Sequence, residues 1–214
     1  MKYIFILFIG VLAGCKSSTS PDDQPTSDKI MPLAVGNYWH YNVTAEYAGD
    51  TVVEELIEQL VRDTLVGTEH WYSMSHNFWE FGYFYTNRSD GLHHYINIAA
   101  PLPPTTGVWI PYPVAIGVKT ATYQNPSFGA SGSIYLKATK VPVTTPAGNF
   151  LCHHYVESIV TWGDTSNFND ADTSVTEHFF APNVGRVRTD RYGESLLFGR
   201  YIYETEELKE YKIN

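Results

Sequence analysis

The segment Asn37–Tyr47, NYWHYNVTAEY, alternates without a break. Trp39, Tyr41, Val43, Ala45 and Tyr47 fall on one side, and His40, Asn42, Thr44 and Glu46 on the other. Successive side chains of a strand point to opposite faces, so a period of two describes a strand with one buried face. A chain that starts this way needs more strands, because a lone strand leaves one face and both edges unsatisfied. The rest of the sequence supplies them. Its 16 Tyr, 11 Phe and 5 Trp, with many Val and Thr, suit a pleated surface.

After the turn at Gly49-Asp50, VVEELIEQLVRDTL is ambiguous. Val52, Val53, Leu56, Ile57, Leu60, Val61 and Leu65 recur at helical spacing, and as a strand each face mixes apolar and charged residues. Against a helix, there is no good cap and strands flank the segment closely. A bulge resets alternation by one residue, so a long bulged strand is favoured over a helix. EHWYSMSHNFW and FGYFYTNR read as strands. RSDG is a turn and LHHYINI the returning strand. Ala99–Gly129, with six prolines, reads as irregular, and Val108–Val114 within it is strongly apolar for a loop. Further strands follow to the end, with a short helical turn near Glu204–Lys209 as an alternative. The sum is an all-β, mainly antiparallel chain of about nine to eleven strands with little helix. Its single sheet is expected to curl into a barrel or half-barrel.

The pattern Pro-apolar-Ala-aliphatic-Gly occurs twice, at Pro32 (PLAVG) and at Pro113 (PVAIG), each followed by a strand. This predicts two similar sheet halves, each opened by the same turn.

The amino end says where the chain resides. Lys2 precedes an apolar stretch, Ile4–Ala13, of about ten residues; spanning a bilayer needs roughly 20. A positive start, a short apolar core and small residues make a signal peptide. The core ends Leu12-Ala13-Gly14-Cys15, which resembles the lipobox of bacterial lipoproteins. That resemblance implies removal of residues 1–14, acylation of Cys15 and membrane attachment there. Residues 15–29 are then the lipidated cysteine and a polar tether too poor in apolar residues to order itself. Residues 30–214 form one β domain. Lys rather than Asp at position 16 points, by the enterobacterial rule, to the outer membrane.

The net charge of −9 argues against nucleic acid, which needs a basic face. The cluster Arg186, Arg188, Arg191 and Arg200 is interleaved with Asp190 and Glu194 and reads as a solvated strand face. With Cys15 acylated, Cys152 is the one free thiol, and its apolar neighbours predict burial without reactivity. The pairs His93-His94 and His153-His154 point to opposite faces of a strand and cannot share a metal. A site would need one histidine from each of several strands, for example His94, His154 and His178. DTSNFNDADTS carries hard oxygen ligands, but its spacing matches no calcium loop. No hydrolase, phosphate-loop or dinucleotide motif is present.

Three short segments, MPLAVGNYWHY, TTPAGNF and EHFFAPNVGRVR, occur in the order of a family of bacterial envelope lipoproteins. That family has Pro-Leu-x-x-Gly-Asn-x-Trp-x-Tyr, Pro-Ala-Gly-x-Phe and (Tyr/Phe)-Ala-Pro-Gly-Val-Gly motifs. Here Asn183 replaces the usual glycine, and Asn tolerates left-handed backbone better than most residues. The resemblance implies an antiparallel β fold like the curved half-barrel of periplasmic lipoprotein carriers. It implies structural motif residues and no enzymatic activity.

Inward faces of a curled sheet fill a core or line a cavity. Trp39, Tyr41, Trp109, Ile110 and Tyr112 are the candidate ligand-lining or lid residues; the alternative is that Trp109 and Ile110 plug the barrel end. The expected function is a non-catalytic binding or scaffold module, anchored at Cys15 and binding an apolar small molecule or an envelope protein. The alternatives are a protein-interaction module of an envelope complex and a metal-dependent hydrolase using dispersed histidines. No catalytic residue, metal ligand or cofactor is nominated.

Overall fold

The structure is a computed structural model; it describes residues 29–47, 49–77, 83–96, 106–125, 130–162, 171–195 and 199–214. Cys15, the tether and most of the acidic loop read for calcium lie outside them. Twelve strands are present: β1 (Tyr38–Tyr47), β2 (Asp50–Val66), β3 (Glu69–His76), β4 (Tyr83–Arg88), β5 (Gly91–Ile96), β6 (Thr106–Pro111), β7 (Lys119–Asn125), β8 (Ala130–Thr145), β9 (Gly148–Trp162), β10 (Ala171–Ala181), β11 (Gly185–Ser195) and β12 (Gly199–Lys212). Described residues contain no helix. The ambiguous segment is strand β2, with a bulge between Leu60 and Arg62 against β3. The carboxyl-terminal segment is strand throughout Glu204–Lys209. The strand number exceeds the expected range because the proline-rich stretch read as irregular contains β6 and β7, so Val108–Pro111 belongs to a strand.

All strands join one antiparallel sheet in the order β6-β5-β4-β3-β2-β1-β12-β11-β10-β9-β8-β7, nearly closed into a barrel. Two six-strand meanders, β1–β6 and β7–β12, meet at the β1–β12 ladder and again at the β6–β7 seam. At the seam the backbones approach closely: a Cβ on Gly107 would lie 3.0 Å from the Thr122 carbonyl oxygen. The Tyr155 hydroxyl donates to the Pro111 carbonyl at 3.0 Å, so β9 holds β6 in place.

Each meander opens with the same turn. The Asn37 N–H donates to the Ala34 carbonyl, and the Val118 N–H to the Ala115 carbonyl. The third residues, Gly36 and Gly117, have φ of 89° and 82°. A left-handed third position is what a type II turn requires of glycine. Both glycines then donate to the neighbouring long strand, Gly36 to Leu60 of β2 and Gly117 to Leu136 of β8, each at 2.8 Å. The two sheet halves therefore begin alike. Alanine at either position is expected to cost about 1–2 kcal/mol, the penalty of left-handed backbone for a residue with a Cβ. At Gly36 the added Cβ would also meet the Asn214 side-chain amide, whose far end can move. Urea midpoints of Gly36→Ala and Gly117→Ala check this; a loss at only one position would break the equivalence.

The end where β1 and β7 begin, here the basal end, is plugged. Ile30 and Met31 are buried. The Met31 carbonyl accepts from Asn87 of β4, while a Cβ on Gly185 of β11 would lie 3.2 Å from Met31 Cγ. The segment thus crosses from one wall to the other. Two bulges in β8, at Leu136/Ala138 and Ala138/Val141, accompany left-handed Lys140 and bend the β8–β9 hairpin across the same end. Its tip docks on β12, where the Ala147 N–H donates to the Leu208 carbonyl.

The three sequence motifs meet at this plug. Trp39 is fully buried, and its Nε1 donates to the Val184 carbonyl at 2.6 Å. Asn183 adopts φ 66°, as the substitution for glycine required. Gly185 is tightly enclosed: a Cβ would lie 3.2 Å from both the Trp39 ring and Met31, and these would have to give way.

Candidate functional site: the polar inner face of the barrel

Alternation puts Tyr41 of β1, Glu58 of β2 and Glu206 of β12 on the inner face. Arg186 reaches it through a bulge. Phe179 pairs with Arg188 and Phe180 with Arg186, leaving Val187 as the extra residue. Without the bulge, Arg186 and Arg188 would share a face. With it, Arg186 turns inward and Arg188 outward, to Asp190 and Glu207. The expectation of a solvated arginine face is thus corrected for Arg186, which is buried. The side chain of Arg200 lies outside the described residues.

Inside, Arg186 Nη2 donates to Glu58 Oε1 and Nη1 pairs with Glu206 Oε2, each at 2.7 Å. Arg191 Nη1 pairs with Glu206 Oε1 at 2.6 Å and with Glu204. The Arg186 guanidinium stacks 4.7 Å above the Tyr41 ring, and the Tyr41 hydroxyl donates to the Arg186 carbonyl. Burial pushes the Glu58 carboxyl up, and Arg186 offsets this only in part. Burial also acts to raise Glu206, but its two guanidiniums outweigh it and hold that carboxyl low. The Nε–H of Arg186 is buried and has no acceptor among the described residues.

A second polar row lies beside the first. His178 Nε2 contacts Glu157 Oε2 at 3.1 Å, and the Thr122 hydroxyl donates to Glu157 Oε1 at 3.1 Å. Burial works to raise Glu157, yet these two hydrogen bonds hold it below the usual range. Thr189 Oγ1 lies 3.4 Å from His178 Nδ1. Hydroxyl, imidazole and carboxylate stand in series, but Thr189 is fully buried and its contact is long, so no nucleophile is presented.

Trp109 divides this space. From β6 its ring packs on Tyr85, His94, His178 and Phe180, reaching across the interior. Ile110 is fully buried, and half-buried Tyr112 packs against His153. Of the five residues named from sequence, Tyr41 and Trp109 border the polar rows and Trp39 belongs to the basal plug. Sequence reasoning missed Glu58, Arg186 and Glu206. The signal available was a carboxylate, Glu58, set between Leu56 and Leu60 on one phase of β2.

The histidines do not converge. His94 and His178 both face Trp109, whereas His154 lies on the other face, stacked on Phe179 and paired with Glu177. His93 likewise faces away from His94, toward Asp90 and Arg88. Among the described residues no three His, Cys, Asp or Glu side chains are arranged to hold a metal. Cys152 is a buried free thiol, pushed up to about 12 by burial.

Burial depresses His76, His94, His153 and His154 below the ordinary imidazole range. Their folded pKa values lie below the unfolded value of about 6.5. As pH falls through that value the unfolded chain takes up protons that the folded chain refuses, so folding stability falls. The urea midpoint is therefore expected to be lower at pH 5.5 than at pH 7.5, the four imidazoles together outweighing the raised Glu58 carboxyl, whose proton uptake in the folded chain acts the other way. An equal or higher midpoint at pH 5.5 would contradict this.

A nearly closed antiparallel sheet with a plugged base and a charged inner face defines a β-barrel class. No protein-family model and no curated protein matches the chain. Among solved structures, an exported protein, so described provisionally, with YmcC-like fold from Bacteroides fragilis matches at TM-score 0.51 and 14% identity. The match covers 87% of this chain and 100% of that one. A protein provisionally described as a lipoprotein from Parabacteroides distasonis matches at TM-score 0.49 and 16% identity, over 88% of this chain and 100% of that one. The chain has the YmcC-like fold.

Proposed function

We propose that this protein is a membrane-anchored lipoprotein of the cell envelope, held in the outer membrane through Cys15. In this reading it is a non-catalytic binding module whose site is the polar inner face of the barrel. Anchoring is supported by the Leu12-Ala13-Gly14-Cys15 segment, and export by the description of the structural neighbour from Bacteroides fragilis. The observation that carries the binding site is the buried Glu58–Arg186–Glu206 cluster. Buried ion pairs are poor stability devices, because desolvation offsets their attraction and apolar residues of similar volume often serve as well. Their presence inside a barrel, with a donor of Arg186 unspent, points to recognition. The aromatic strands alone point to an apolar ligand. The inner face adds charges, and these favour a polar molecule bearing hydrogen-bond acceptors.

The test is native mass spectrometry of the protein extracted gently from envelopes. Added mass that leaves on denaturation and belongs to a hydrophilic compound supports the reading. Added lipid would restore the apolar ligand. A clean mass, unchanged after incubation with an envelope extract, would remove the binding site and leave a scaffold.

A further inference from the structure

We infer that the basal end of the barrel is itself a membrane-contacting surface, seated in the headgroup region of an anionic bilayer. Antiparallel order places at this end the starts of β1 and β7 and the β2–β3 hairpin. Ladder positions show how far that hairpin projects. Leu60 makes the last contact of β2 with the segment entering β1, at Gly36 and Asn37, and β2 then runs on to Val66 with β3 alone beside it. Six residues of strand at about 3.3 Å each carry the tip beyond that last contact, while on the other side the end of β4 follows the hairpin, with Arg88 paired to Glu69. The tip is apolar and open to solvent, with Leu65 61% and Val66 59% exposed. The two equivalent turns add Val35 and Ile116, and Val118 follows; all three are exposed. In each turn the exposed aliphatic is the residue before the left-handed glycine.

The rim carries exposed lysines among exposed carboxylates such as Asp63, Asp90 and Glu210. Lys29, Lys119, Lys140 and Lys212 are exposed on elements of this end, in a chain whose net charge is −9. Aliphatic tips ringed by lysines fit a bilayer interface, where apolar groups enter the acyl boundary and ammonium groups meet anionic headgroups. The direction of the chain agrees. The segment carrying Cys15 joins the described residues at Lys29, at this same end, and Cys15 precedes Lys29 by 14 residues. A protein partner would have to compete with the bilayer for a surface that the anchor brings to it. The inference rests on the anchored reading for that delivery.

The experiment uses the protein with its native amino-terminal anchor, in vesicles of phosphatidylethanolamine and phosphatidylglycerol. Single substitutions Val66→Cys, Ile116→Cys and, at the opposite end, Asp50→Cys receive a thiol-reactive environment-sensitive fluorophore. Buried Cys152 stays unlabelled. All three sites are exposed, so the fold is expected to survive, as circular dichroism will show. Lipids spin-labelled near the headgroup are expected to lower fluorescence at 66 and 116 by roughly twofold or more relative to 50, as interfacial burial predicts. Vesicles that float with protein while 66 and 116 respond like 50 overturn this inference alone. So does a label shielded from both lipid and aqueous quenchers, the signature of a protein partner. Failure of the protein to float overturns anchoring and inference together.

Discussion

Replacing Arg186 with methionine is expected to destabilise the barrel by about 3–5 kcal/mol, the cost of stripping a buried charge of its partner. Glu58 and Glu206 would be left facing each other, both buried, with only Arg191 still in contact with Glu206. Against a total stability of about 5–15 kcal/mol for a domain, the loss is large. It is read as a drop in urea midpoint of more than about 1 M with little change in slope. The triple variant Arg186→Met, Glu58→Met, Glu206→Leu separates two roles. If the cluster is kept for recognition, the triple variant recovers most of the stability and loses any ligand seen by mass spectrometry. If it stays as unstable as the single variant, the cluster serves folding, and the binding site proposed here loses its main support.

Trp39→Ala is expected to cost about 3–5 kcal/mol as well, by a different route. It opens a large cavity in the plug and orphans the Val184 carbonyl, which now accepts the indole N–H at 2.6 Å. The ring is also the surface against which Gly185 and Met31 close the basal end. Trp39→Phe keeps most of the volume and loses the hydrogen bond, so it should lie between. Thermal or urea unfolding measures both. A Trp39→Ala protein of near-normal stability would place Trp39 in a ligand cavity and overturn its role in the plug.

Much of the fold was legible along the chain. Alternation in β1 needed no tertiary information, and the turns at RSDG and TPAG mark where strands reverse. The repeated Pro-apolar-Ala-aliphatic-Gly pattern reads directly as two equivalent left-handed glycines. β2 was ambiguous for a physical reason. Its inner phase carries Glu58 between Leu56 and Leu60 to meet Arg186, while its outer phase exposes Val53, Ile57 and Val61. Charge inside and aliphatics outside together imitate helical spacing. β6 was hidden among prolines, because it is a short edge strand at the seam, where missing N–H groups cost little.

The candidate site was much less legible. Arg186 and Arg188 look alike in sequence, two residues apart on one strand. A single extra residue, Val187, sends one to the interior and the other to the surface, since a one-residue slip exchanges faces. One partner of Arg186, Glu58, is 128 positions away, and the other, Glu206, lies on the paired strand β12. The two long hairpins pose the same difficulty. β2–β3 runs on past the β1 entry with one bulge, while β8–β9, with two bulges and left-handed Lys140, folds over the barrel end.

By itself the sequence determined what is local: strand period, turn chemistry, the buried unreactive thiol, and the amino-terminal segment that resembles a lipobox. The tertiary structure decided closure of the sheet, the plugged base and the charge cluster inside. These depend on register and bulge position across ladders joining residues more than a hundred apart, and the local pattern of neither partner records which face will meet the other.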